Sequence, residues 1–188
     1  MAKNIVFLGI KHCGKSTQAE LLAQRLQREF LDSDELLVEA YRRQYPEAGS
    51  EVSPRMIMQK HGGEFFRQFE AQVIRNFLQD NPGGKVLALG GGVPVNSFLS
   101  FEELKQLGVL VYLDVDMETA YRRIAAGGIP PFLAGDDPHG RFQALFAERT
   151  PCYRKLADLH IVVEQEGPAE DLNDLIFDKL RENKLLDI

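Results

Sequence analysis

Gly9-Ile10-Lys11-His12-Cys13-Gly14-Lys15-Ser16 is the stretch on which the fold turns. It fits the pattern G-x-x-x-x-G-K-[ST], whose glycines let the backbone fold tightly enough for its N–H groups to point inward at phosphate oxygens. Asn4 and the apolar run Ile5 to Leu8 precede it and read as a buried strand. An amphipathic helix follows from Lys15 to about Arg28, and its dipole adds to the same anion site. In this setting Lys15 reaches the β- and γ-phosphates of a nucleotide, and the Ser16 hydroxyl ligates magnesium. Gly9, His12, Cys13, Gly14, Lys15, Ser16 and Thr17 are therefore the expected ATP-binding residues. Cys13 lies near a helix start, where a thiolate is favoured, but it and His12 read more simply as variable loop positions.

Outward from this loop, short apolar runs alternate with longer stretches of helical period. A short strand ends at Asp32, and further strands are expected at residues 85–89, 109–113 and 159–163. Helices are expected at 34–45 and 53–81, the second broken at His61-Gly62-Gly63, with Ser53-Pro54 as cap and first helical residue. Ser100 and Glu103 make a capping box for a helix reaching Leu107; Asp116 caps another to about Ala126, and a last helix covers 171–183. Strands apolar on both faces and separated by helices imply a parallel sheet covered on both sides. The expected fold is α/β: a P-loop NTPase-type, doubly wound, five-stranded parallel sheet. Residues 126–140, rich in Gly, Pro and Asp, are too polar for core and read as a mobile lid.

The chain has 188 residues, 44% of them hydrophobic, enough for one domain with a sizeable core. Its net charge of −6 argues against a nucleic-acid partner, though a local pocket of arginines can still bind a small anion. Cys13 and Cys152 are too few and too far apart for a disulfide framework or a zinc site. Residues 5–8 are too short an apolar run for a signal h-region or a membrane span. A cytoplasmic, monomeric protein with no membrane contact is expected.

Ligands in open α/β sheets lie beyond the carboxyl ends of the strands, so the acceptor is sought there. The second strand ends in Asp32-Ser33-Asp34, two carboxylates that can serve one metal and one substrate hydroxyl, or of which Asp34 can simply cap the next helix. Gly90-Gly91-Gly92 ends the third strand and bares its backbone to a ligand. Asp114 ends the fourth, as a metal carboxylate or, more simply, a helix cap. Arg67 with Glu70 reads in isolation as a surface ion pair, and Arg149 with Tyr153 is equally ambiguous.

Taken together, these segments resemble shikimate kinase. That family shows a P-loop, then D-x-D, G-E-x-x-F-R-x-x-E, G-G-G after a strand, a lid, and R-x-x-x-Y before the last strand. The chain has Gly9 to Thr17, Asp32-Ser33-Asp34, Gly62 through Phe66-Arg67 to Glu70, Gly90 to Gly92, and Arg149 to Tyr153, in that order over nearly its whole length. The resemblance implies a kinase that transfers the γ-phosphoryl of MgATP to a hydroxyl of shikimate, a small hydroxylated carboxylate. It implies that Asp34 accepts the hydroxyl proton while Asp32 holds the Mg²⁺ shell with Ser16. Arg67 and Arg149 would grip the carboxylate, Glu70 would orient Arg67, and the backbone of Gly90, Gly91 and Gly92 would approach the ring. Arg123 would pack on adenine. The helices of residues 34–81 would bind substrate, all within one kinase domain of residues 1–188.

Three departures stand out. Pro130-Pro131-Phe132-Leu133 falls where the family carries R-P-L-L, so proline replaces an arginine that reaches the transferring phosphoryl group; either Arg141 or Arg122 substitutes, or turnover is slow, or the acceptor differs. Gly63 takes the place of the glutamate in G-E-x-x-F-R, with Glu64 one residue later. Tyr45 to Gly49 is inserted where the acceptor region begins. The alternatives these leave are another P-loop metabolite kinase, of the gluconate kinase type, and a nucleotide-binding homologue with weakened catalysis.

Overall fold

The computed structural model describes residues 2–80, 83–130, 132–163 and 167–186. Its strands are β1 (Ile5–Leu8), β2 (Phe30–Asp32), β3 (Val86–Ala88), β4 (Val109–Asp114) and β5 (Leu159–Val162). They form one sheet in the order β2-β3-β1-β4-β5, every neighbouring pair parallel. All four residues of β1 and all three of β3 are buried, so the centre of the sheet is covered on both faces. From β1 the chain first runs out to β2, and after β3 it crosses to β4. The strand order thus reverses around β1, and the crevice that reversal creates lies beyond the end of β1, where the phosphate loop begins.

The helices are α1 (Lys15–Leu26), α2 (Ser33–Gln44), α3 (Pro54–His61), α4 (Gly63–Asp80), α5 (Phe101–Gln106), α6 (Met117–Ala126), α7 (Pro138–Leu156) and α8 (Ala169–Glu182). Their starts follow local chemistry. Ser53 accepts from the Met56 N–H with Pro54 next in the chain, and the Ser100–Glu103 capping box closes in both directions. Gly62, at φ 88°, supplies the backbone turn that separates α3 from α4. A second hydrophobic cluster of Leu37, Tyr41, Val52, Ile57 and Phe66 ties α2, α3 and α4 together. The Tyr41 hydroxyl pairs with His61 Nε2 at 2.7 Å, and the ring of inserted Tyr45 lies tilted against that of Tyr41, their centroids 4.6 Å apart. Among the described residues no helix is long and apolar enough to cross a membrane.

Several expectations need correction. Helix α2 starts at Ser33 and its cap is Asp32, not Asp34. Helix α8 starts at Ala169 rather than Asp171, and the expected end of α4 at Asn81 lies outside the described residues. The largest omission is α7. Asp137 caps it, Pro138 occupies its first turn, and it runs through Pro151. An interior proline removes a backbone donor and ordinarily breaks a helix, so the sequence pattern stops short. Burial of Phe142, Thr150, Tyr153 and Leu156 along one face carries the helix past it. The lid therefore shrinks to 127–137, of which Pro131 lies outside the described residues. Nor is it purely polar, since Leu133 is 1% exposed and belongs to the main core.

Candidate active site

Gly14 caps α1 at φ 99°, which lets the loop wrap over the helix start. Lys15 is folded back on this loop: its Nζ donates to the Ile10 carbonyl at 2.9 Å, and the residue is 9% exposed. Beside it, the Ser16 hydroxyl donates to Asp32 Oδ2 at 2.8 Å. The other oxygen of Asp32 accepts from the Asp34 N–H at 2.9 Å, so one carboxylate caps α2 and joins it to the phosphate loop. Two hard oxygen donors so placed fit Mg²⁺, an ion that uses one or two protein ligands and completes its shell with phosphate oxygens and water. Capping by Asp32 leaves the Asp34 side chain unused by the helix and open to the crevice.

Three consecutive glycines then gather the rest. The Gly90 N–H donates to Ser33 Oγ at 2.7 Å, and a Cβ at Gly90 would stand 2.8 Å from Asp34 Oδ1. A Cβ at Gly91 would lie 3.4 Å from the Gly9 carbonyl and 3.6 Å from Arg149 Nη1. At Gly92 it would lie 3.0 Å from Arg67 Nη2 and closer still to Nη1. Residues from the phosphate loop, α2, α4 and α7 thus converge on one three-residue turn, and at Gly90 and Gly92 a Cβ would press on Asp34 and Arg67.

The two arginines are braced differently. Arg67 Nη1 donates to Glu70 Oε2 at 3.0 Å, and that carboxylate is 8% exposed. Arg149 lies one turn before Tyr153, whose buried hydroxyl donates to the Gly91 carbonyl at 2.6 Å. Burial, with the charge of Asp32, raises the Asp34 carboxyl above the usual aspartate range, against the pull of Lys15 and Lys11. Burial likewise raises Glu70, with Arg67 and Asn96 opposing it. His12, at φ 63°, has its pKa lowered by burial and by the two lysines, Lys11 and Lys15.

Arg123 lines a separate cavity of about 600 Å³ together with Cys13, Gly14, Thr17, Val162 and Leu172. Val162 is 54% exposed there, an apolar surface beside the loop that suits a flat base. Asp114 is neither a cap nor joined to the loop. Tyr112 and Arg154 donate to it, His160 Nε2 lies 2.7 Å from it, and Asp116 is the residue that caps α6. Burial works against its ionisation, but these partners outweigh it and hold its carboxyl low. Arg141 is tied to the lid, donating to the Ala134 carbonyl, and Arg122 lies 3.4 Å from Thr119 Oγ1.

The sequence reading missed Ser33, Asn96 and the apolar wall of the cavity. Ser33 sits between two aspartates that drew the attention. Asn96 is one polar residue in a short turn, with no local pattern to single it out.

The shikimate kinase family model matches residues 11–180. A shikimate kinase from a Synechococcus species is 38% identical, covering 94% of this chain and 84% of the relative. One from Symbiobacterium thermophilum is 37% identical, covering 95% and 97%. Among solved structures, shikimate kinase from Acinetobacter baumannii in complex with shikimate superposes with a TM-score of 0.81 at 32% identity, over 97% of this chain and 95% of that one. With a family match over most of its length and relatives this close covering it almost end to end, the chain belongs to the shikimate kinase family.

Proposed function

We propose that the shikimate kinase reaction runs in this crevice as follows. Lys15 exchanges the Ile10 carbonyl for the β- and γ-phosphate oxygens of ATP, which the loop N–H groups and the start of α1 receive. Adenine occupies the cavity beside Arg123 and Val162. Ser16 and Asp32 would hold Mg²⁺, which when bound would neutralise phosphate charge. Arg67 and Arg149 grip the shikimate carboxylate, for which planar guanidinium groups are suited, and Glu70 orients Arg67. Asp34 accepts the proton of the 3-hydroxyl as its oxygen bonds to the γ-phosphorus and the bond to the bridging oxygen breaks. ADP leaves, and shikimate 3-phosphate is formed. Positioning and charge neutralisation supply the catalysis.

One observation carries this assignment: Gly90, Gly91 and Gly92 bring Asp34, the phosphate loop with Arg149, and Arg67 into contact with one turn. The residues this reading uses all come from one chain, and both cysteines are free thiols, so the same proposal makes the enzyme a cytoplasmic monomer. It acts as one kinase domain, with the helices up to about residue 80 holding the acceptor and residues 127–137 closing over it. The close relatives do not favour a gluconate kinase or a catalytically weakened homologue. Arg67→Ala tests the clamp: the shikimate KM should rise roughly tenfold or more with the ATP KM little changed. An unchanged shikimate KM would refute it.

A further inference from the structure

We propose that Asn96 is a positioning residue for acceptor recognition: through Glu70 it fixes the pose in which the Arg67 guanidinium meets the substrate carboxylate. The inference rests on the reading of Arg67 as carboxylate clamp. Asn96 is 3% exposed and ends the turn that follows Gly92, its N–H donating to the Val93 carbonyl at 3.1 Å. Its side-chain Nδ2 donates to Glu70 Oε2 at 2.8 Å and to the Arg67 carbonyl at 2.9 Å. The Phe98 N–H donates to Oδ1 at 2.9 Å. That third bond settles which way the amide points, because the opposite orientation would set an NH₂ against an N–H and an oxygen against two acceptors. One buried amide therefore joins the glycine turn to the α4 turn that carries the clamp.

The electrostatic role follows from this geometry. Glu70 Oε2 receives both Arg67 Nη1 at 3.0 Å and Asn96 Nδ2 at 2.8 Å. Burial pushes that carboxyl towards its neutral form, and Asp34 on α2 pushes the same way. Arg67 on α4 and Asn96 oppose them. Removing the amide donor leaves Arg67 as the only hydrogen-bonding partner in that opposition. Once Glu70 takes up a proton it no longer anchors the guanidinium as one half of an ion pair, only through a weaker bond to a neutral carboxyl, and the clamp loosens.

The test is steady-state kinetics with shikimate and ATP varied separately, from about pH 6 to about pH 9. The enzymes are wild type, Asn96→Leu, Asn96→Asp, Glu70→Gln, the Asn96→Leu/Glu70→Gln double variant, and Arg67→Ala. Asn96→Leu should raise the shikimate KM roughly tenfold, the loss of about one charge-assisted bond, with ATP KM unchanged. The increase should grow as pH falls, because Glu70 protonates. Asn96→Asp should behave with the opposite sign: a shared proton at low pH restores the bond, and at high pH two facing carboxylates repel, so KM rises with pH. In the Glu70→Gln background, Asn96→Leu should add little. A purely structural asparagine would instead raise both KM values together, give the two variants the same pH slope, or add its full factor to Glu70→Gln, and any of these overturns the proposal. Should Asn96→Leu fail to fold, the pH slope of the near-isosteric Asn96→Asp decides. If Arg67→Ala leaves the shikimate KM unchanged, the clamp reading itself fails; if only the Asn96 variants do so, this inference alone fails.

Discussion

Gly92→Ala is a substitution whose effect on the fold and on the site should separate cleanly. Gly92 has φ −89° and ψ −20°, a conformation open to any residue, so an alanine there brings no backbone strain. Replacing glycine at such a position stabilises by about 0.4–1 kcal/mol, through reduced entropy of the unfolded chain. The added Cβ, however, would stand 3.0 Å from Nη2 and 3.1 Å from Cζ of Arg67, and nearer still to Nη1. A guanidinium on a flexible side chain can move away, so the collision is relieved by displacing the clamp rather than the backbone. Displacement breaks the 3.0 Å bond to Glu70 and misaligns the group that meets the carboxylate. A hydrogen bond between charged partners contributes about 1.5–3 kcal/mol, which corresponds to a rise in shikimate KM of roughly 10- to 150-fold. Coupled ADP release with shikimate varied at saturating ATP, and then the converse, measures this alongside a thermal melt. The ATP KM should stay within about threefold, and Tm should be unchanged or higher. A shikimate KM equal to wild type in a folded protein would refute the placement of Arg67 against this turn.

Lys15→Ala should lower kcat at least roughly a hundredfold, as removal of a transition-state donor does; near-normal turnover in the same ADP assay would remove Lys15 from the phosphate site. Pro130→Arg should raise kcat by placing a cation in the lid, whereas an unchanged kcat would show that a group already present supplies that charge. Lys11→Ala removes one of the charges that oppose the rise in the Asp34 carboxyl. If ionised Asp34 accepts the proton, activity is lost as pH falls through its raised pKa, and the variant's acid limb should move to higher pH. An unmoved limb in the kcat profile would exclude Asp34 as that base.

Much of the fold was legible because its signals are local. The phosphate loop is eight contiguous residues, its chemistry belongs to their backbone, and an apolar strand on one side and an amphipathic helix on the other fix its setting. The Ser53 and Ser100 caps act within three residues, so their patterns survive without tertiary context. Helix α7 was not legible, since Pro151 opposes local helix propensity and burial of one face overrides it only once the sheet exists. The D-x-D pair was found, but that the capping Asp32 also meets Ser16, 16 residues earlier, is a tertiary contact.

The sequence by itself determined the nucleotide loop, the parallel α/β class and the order of the motifs along the chain, because each depends on residues a turn or two apart. Only the tertiary structure decided the strand order β2-β3-β1-β4-β5 and the gathering of Asp34, Arg67 and Arg149 on three glycines. It alone showed the bonds from Tyr153 to Gly91, 62 residues apart, and from Asn96 to Glu70, 26 apart. Contacts of that span exist only when whole helices dock on a finished sheet, and no local periodicity encodes the docking.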